Sequence, residues 1–131
     1  MEQKEMVNHW IESAEEDYTA MEHLFEKKDY SWSLFVGHLV IEKLLKAYYI
    51  KVKNEQPPLI HNLVRIADKA ELKLTESQMD DLTVITSFNI EARYQDYKTE
   101  FYKKCTLNYT KIWNEKIKEN KSWLMQLLQK L

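Results

Sequence analysis

At 131 residues the chain has the size of one domain that buries about two-thirds of its unfolded surface. One glycine and two prolines are too few for tight hairpins and β-sandwich punctuation, so the composition implies an all-α fold; neither a P-loop nor a GxGxxG nucleotide loop can be written. A net charge of −2 excludes a global basic footprint for nucleic acid and confines any such contact to local clusters such as Lys43/Lys46 or Lys98/Lys103/Lys104.

The first helix is expected from about Gln3 to Lys28. Met6, Trp10, Ala14, Met21, Leu24 and Phe25 fall near one face, and Tyr18 fills the stripe between them. Glu2, Glu5, Glu12, Glu15 and Glu16 decorate the other side and suit its N-terminal half through the helix dipole. Lys28-Asp29-Tyr30-Ser31 ends this helix, with Ser31 the expected N-cap of a second one running to about Val52.

The second helix is apolar round most of its circumference, as suits the centre of a bundle. The exception is a stripe of His38, Glu42 and Lys46, with Lys43 beside it. At 100° per residue these i, i+4, i+8 positions drift by only about 40° per step and share one face.

Asn54-Glu55-Gln56-Pro57-Pro58 then breaks the pattern, because paired prolines cannot continue a helix. A short third helix is expected from about Leu59 to Ala70, with Leu63, Ile66 and Ala67 inward. Thr75-Glu76-Ser77-Gln78 is a capping-box pattern that starts a fourth. Its apolar spacing runs through Met79, Leu82, Ile85 and either Thr86 or Asn89, fading between Asn89 and Tyr94. From Glu91 to Asn108 aromatics alternate with charges at no fixed period, which implies a structured connection with a helical turn in it. The last helix begins between Thr106 and Thr110 and runs to about Lys130, burying Trp113, Ile117, Leu124, Leu127 and Leu128. The expected architecture is a compact up-and-down bundle of about five helices in a single domain, residues 1–131.

Chemistry is constrained by spacing. No Glu stands three residues before His9, His23, His38 or His61, no His-x-x-x-His occurs, and one cysteine cannot build a zinc site, so neither metal nor cofactor is expected. The lone Cys105 excludes an internal disulfide, and no signal-peptide core or apolar run near 18 residues is present, which together imply a soluble cytoplasmic protein. Lys103 and Lys104 beside Cys105 are able to lower its pKa; without a partner histidine, a buried thiol is the simpler reading.

The stripe on the second helix admits two readings. Glu42 and Lys46 have the favourable i, i+4 order of an exposed ion pair, or the stripe lines a polar cleft. Arg93 and Asp96 flank Tyr94 where the fourth helix should end, as a helix terminus and Asx-turn or as a phosphate site with a stacked base. His61, just after the prolines, is either a local cap and packing group or an acid/base.

The order His38-x-x-x-Glu42-Lys43-x-x-Lys46-Ala47, His61-Asn62-Leu63 after a proline-bearing loop, and Ala92-Arg93-Tyr94-Gln95-Asp96 resembles the HEPN domain family. The resemblance extends from Trp10, Ala14 and Asp17 to Trp123-Leu124. It implies an all-α bundle that dimerises, often encoded beside a minimal nucleotidyltransferase in a toxin–antitoxin-like pair. Ribonuclease members place a histidine four to six residues after the motif arginine, whereas Tyr97, Lys98 and Thr99 stand at those positions here. The Arg-Tyr-x-Asp branch remains, and it implies a non-catalytic nucleotide- or RNA-phosphate-binding homodimer. Its cleft is expected to comprise His38, Glu42, Lys43, Lys46, His61, Arg93, Tyr94 and Asp96, with Lys46 and Arg93 on the phosphate and Glu42 orienting Arg93. The alternatives are a degenerate metal-independent ribonuclease using His38 or His61, and a purely structural docking subunit for the nucleotidyltransferase.

Overall fold

Three 24-residue helices carry most of the chain, and the middle one is the axis about which the rest is arranged. A computed structural model describes residues 2–130. Among them the order is α1 (Gln3–Glu26), α2 (Tyr30–Lys53), α3 (Leu63–Lys69), α4 (Glu76–Glu91), α5 (Gln95–Lys104) and α6 (Leu107–Lys130). The short α1–α2 link folds these two helices against each other, α6 lies along α2, and α2 touches every other helix. It therefore buries residues all round: Leu34, Val40, Ile41, Leu44, Leu45 and Ala47 are fully enclosed, and so is His38. This all-round burial is the physical content of its weak amphipathicity.

The only glycine is used for packing rather than turning. A Cβ on Gly37 would run into Ile117 Cδ1 of α6 and lie 3.1 Å from Met21 Sδ of α1, so its absence lets both helices approach α2. Left-handed turns that usually take glycine fall instead to Lys28 (φ 66°), Asn54 (φ 54°) and Glu71 (φ 58°).

The described residues form six helices where about five are expected, because the stretch after Arg93 forms α5. Only Phe101 is buried in α5, its ring 5.6 Å from Phe88, which is itself edge-on to Trp113 at 5.8 Å. A helix pinned by one aromatic leaves no apolar period to read. The third helix is shorter than expected: Asn62 caps it by accepting from the Arg65 amide at 3.1 Å, so residues 59–62 stay outside. Ser31 lies inside the first turn of α2; Asp29 is the N-cap and makes no side-chain cap bond. The capping box on α4 forms as its sequence implies, Thr75 and Gln78 exchanging bonds of 3.1 and 2.9 Å.

Candidate functional site: a buried polar relay from Arg93 to Lys46

Four buried polar side chains interrupt the core where α2 meets α3 and α4: His38, Glu42 and Lys46 of α2, and Asn89 of α4. Uncompensated burial of such groups costs several kcal/mol, so their partners define the site. His38 is fully enclosed and uses both ring nitrogens: Nε2 donates to the His61 main-chain carbonyl at 2.9 Å, and Nδ1 accepts from Asn89 Nδ2 at 3.4 Å. This pattern fixes the neutral Nε2–H tautomer. Burial lowers the His38 pKa against the opposing pull of the His61 carbonyl and of Glu42.

The relay continues in both directions. Towards α5, Asn89 Oδ1 accepts from the Arg93 guanidinium at 2.5 Å, while Arg93 Nε donates to the Asn89 carbonyl at 2.9 Å. Towards the proline loop, His61 Nδ1 donates to Glu42 Oε1 at 2.9 Å, and Lys46 Nζ holds Glu42 Oε2 at 3.0 Å. Lys46 also lies over the Trp10 ring of α1, 5.7 Å from its centroid. Each buried side chain of the relay thus has a partner, as a buried network requires.

The Glu42–Lys46 ion pair of the stripe forms, but enclosed instead of exposed, and His38 beside it is closed to solvent as well. The relay meets solvent at two places. One is the His61 ring, 61% exposed with Nε2 unengaged. The other is Arg93, whose guanidinium lies 5.6 Å from the Phe35 ring centroid and 5.4 Å from that of Tyr94. Among the described residues no carboxylate pairs with Arg93.

Of the eight residues singled out from sequence, His38, Glu42, Lys46 and His61 come together, and Arg93 joins them through Asn89. Tyr94 packs on Arg93, whereas Asp96 stands exposed in the first turn of α5. Lys43 points elsewhere: it binds Asp17 at 2.6 Å and Ser13 at 2.7 Å on α1. The expected Glu42–Arg93 pairing is absent, since Glu42 is taken by His61 and Lys46 and Arg93 by Asn89. Lys46 sits three turns beyond Phe35, about 16 Å along α2, so it does not meet Arg93 on one phosphate. Asn89 was legible only as an optional core position; an amide there, one turn before an arginine, was its signal. Thr86 is a second missed residue, accepting from the Leu63 amide at 3.0 Å and so fixing the start of α3.

No cluster of three or more His, Cys, Asp or Glu among the described residues is placed to hold a metal. The Cys105 thiol is buried and pushed up to about 12 by burial, aided by Glu91, which outweighs the lowering by Lys104. No described helix is long and apolar enough to cross a membrane.

Comparison with known proteins accords with this architecture. No curated protein and no solved structure matches the chain. The HEPN domain family model matches residues 7–120, a span that includes every residue of the relay, and the chain belongs to the HEPN domain family.

Proposed function

We propose that the chain is a non-catalytic nucleotide- or RNA-phosphate-binding HEPN protein, with Arg93 as its anion-binding group. Family membership supports a nucleotide- or RNA-related role. The observation that carries the reading is the state of Arg93: it is clamped by two bonds to Asn89, flanked by two aromatic rings and free of any carboxylate. A guanidinium held this way has lost little of its freedom to bind and presents its remaining N–H groups outward, the geometry that suits a phosphate. In this reading His38, Glu42 and Lys46 position the site from beneath, and Tyr94 packs on the arginine. The protein acts as a single-domain cytoplasmic homodimer beside a minimal nucleotidyltransferase, in a two-gene module of toxin–antitoxin type. Light scattering of the purified protein and co-purification with the neighbouring gene's product test these last points.

Titration with nucleotides and short RNA tests the central claim. Arg93→Ala is expected to weaken binding at least about tenfold, the loss of one charge-assisted bond pair. Equal binding by both proteins removes Arg93 from the site.

A second reading has one observation in its favour. His61 is exposed, and Glu42 fixes its Nδ1–H, so Nε2 is presented to solvent in the manner of a general base. Since both nitrogens of His38 are engaged inside the protein, a ribonuclease reading rests on His61. RNA cleavage lost in His61→Ala, with folding intact, would establish it; absence of cleavage by wild type at any protein concentration would reject it.

A further inference from the structure

Arg93 stands at one end of a surface that continues past Phe35 into a separate cleft. The Phe35 ring that supports the guanidinium on one side meets Trp32 edge-on at 5.6 Å on another. Trp32, in the first turn of α2, stays 43% exposed. Beside it opens a cavity of about 250 Å³, formed with Ser31, Ala92, Gln95, Lys98, Thr99 and Tyr102. Arg93 does not line the cavity itself; its guanidinium is separated from Trp32 by the single Phe35 ring, whose centroid lies 5.6 Å from each.

We infer that this cleft between the first turn of α2 and α5 is a nucleobase pocket, with the base against Trp32 and the attached phosphate at Arg93. The inference rests on the phosphate reading of Arg93 and adds to it the part of the ligand that would confer selectivity for nucleotides. Three observations converge. A large aromatic side chain is left exposed beside a concave surface, where an apolar ring would cover it. Ser31, Gln95, Lys98 and Thr99 bring hydroxyl, amide and ammonium groups to the same cleft, and none of these side chains bonds to another protein group among the described residues. The volume falls below the ~300–1,000 Å³ of sites that enclose a drug-sized ligand, which suits one ring system with its ribose and phosphate outside.

Two larger concavities fit less well. The groove between α3 and α4, about 670 Å³, has no aromatic ring in its lining, and its Glu71 is already paired with Lys53 at 2.8 Å. The hollow beside α4 and Trp113, about 610 Å³, is lined by Glu76, Asp80 and Asp81, which oppose a phosphate, and its one cation, Lys116, is paired with Asp81 at 3.3 Å. Among the described residues the Trp32 cleft alone combines an exposed ring and unpaired polar groups with an arginine one aromatic ring away.

Calorimetric titration of the full chain with AMP, adenosine, ribose 5-phosphate and hexaadenylate tests the pocket, with melting curves verifying that each variant folds. Trp32→Ala is expected to weaken AMP and adenosine about tenfold and leave ribose 5-phosphate unchanged. Arg93→Ala is expected to do the reverse for adenosine and ribose 5-phosphate. Thr99→Tyr fills the cleft from an exposed position and should reproduce Trp32→Ala. If AMP binds, a free nucleotide is the ligand; if hexaadenylate alone binds, with the same dependence on Trp32, the base belongs to single-stranded RNA. Unchanged affinity in both Trp32→Ala and Thr99→Tyr overturns the pocket and leaves the Arg93 phosphate site standing. Absence of binding by all four probes overturns both.

Discussion

His38 and His61 are joined through main chain rather than through their rings: the buried Nε2–H of His38 donates to the His61 carbonyl at 2.9 Å. That bond stitches the proline-bearing loop onto α2 and delivers the His61 ring to Glu42. It also orders every other bond in the relay. With Nε2 donating, Nδ1 must accept, so the Asn89 amide presents its NH₂ to His38 and its oxygen to Arg93. One tautomer in the core thereby sets the orientation of a surface arginine.

Replacing His38 by Leu should therefore unsettle more than its own site. The substitution leaves the His61 carbonyl and the Asn89 amide without their partner in a closed environment, and a loss of about 2–4 kcal/mol is expected. Urea unfolding reads the loss, and because Asn89 is then free to turn, nucleotide binding through Arg93 should weaken in the same variant.

The same residue makes stability depend on pH. Burial holds the His38 pKa in the folded protein below its ordinary value of 6.5, with Glu42, His61 and Lys46 the charged or titratable groups around it. Below 6.5 the unfolded chain takes up a proton that the folded chain refuses, so stability is full above that pH and falls as pH drops towards the folded pKa. The limiting slope for one proton is about 1.4 kcal/mol per pH unit. Denaturation midpoints between pH 7.5 and 5 should show this decline in wild type, and a His38→Gln variant should flatten it.

How much of this was legible in the sequence depends on what each residue does. The all-α frame followed from scarce glycine and proline and from apolar spacing, and the Thr75–Gln78 cap from its local pattern. The His38, Glu42, Lys46 face followed from helical geometry alone. What spacing cannot supply is the partner across the fold. Asn89 is local to α4 yet acts between α2 and Arg93, and Lys43 differs from Lys46 in pairing with Asp17 of α1 instead of Glu42. The helix α5 escaped because one buried Phe101 creates no period. Trp32 gave no signal, since its exposure depends on where α5 lies.

The Glu42–Lys46 pair offers a sharper test of the buried relay. Both side chains are nearly enclosed, so removing one partner strands the other's charge. Glu42→Ala should cost about 3–5 kcal/mol, whereas the double change Glu42→Gln with Lys46→Met should cost much less than the sum of the single changes. A double-mutant cycle measured by urea unfolding gives the coupling; additive effects would show that the pair behaves as a solvated surface contact.

Cys105 should be inert in the native protein. With its thiol buried and its pKa pushed up to about 12, the thiolate is scarce at pH 8 by roughly four orders of magnitude. Reaction with a thiol-specific disulfide reagent at pH 8 is expected to be slow and to accelerate sharply in denaturing urea. Fast labelling of the folded protein would place this thiol at an accessible, activated site.

Gly37 faces both Met21 of α1 and Ile117 of α6 and yields a prediction of opposite sign to helix propensity. In an exposed helix, glycine to alanine gains up to about 1 kcal/mol. Here the new methyl would meet Ile117 Cδ1, itself fully enclosed, and crowd Met21 Sδ at 3.1 Å. Overpacking of this kind costs about 1–3 kcal/mol, so Gly37→Ala should come out destabilised. Ile117→Val removes the offending Cδ1 atom and on its own loses about 0.5–1.5 kcal/mol. In combination the two changes should be less harmful than their sum, because the second vacates the space that the first requires. Thermal melting of the single and double variants measures that coupling, and strict additivity would mean that α6 shifts away from α2 instead of repacking around the methyl.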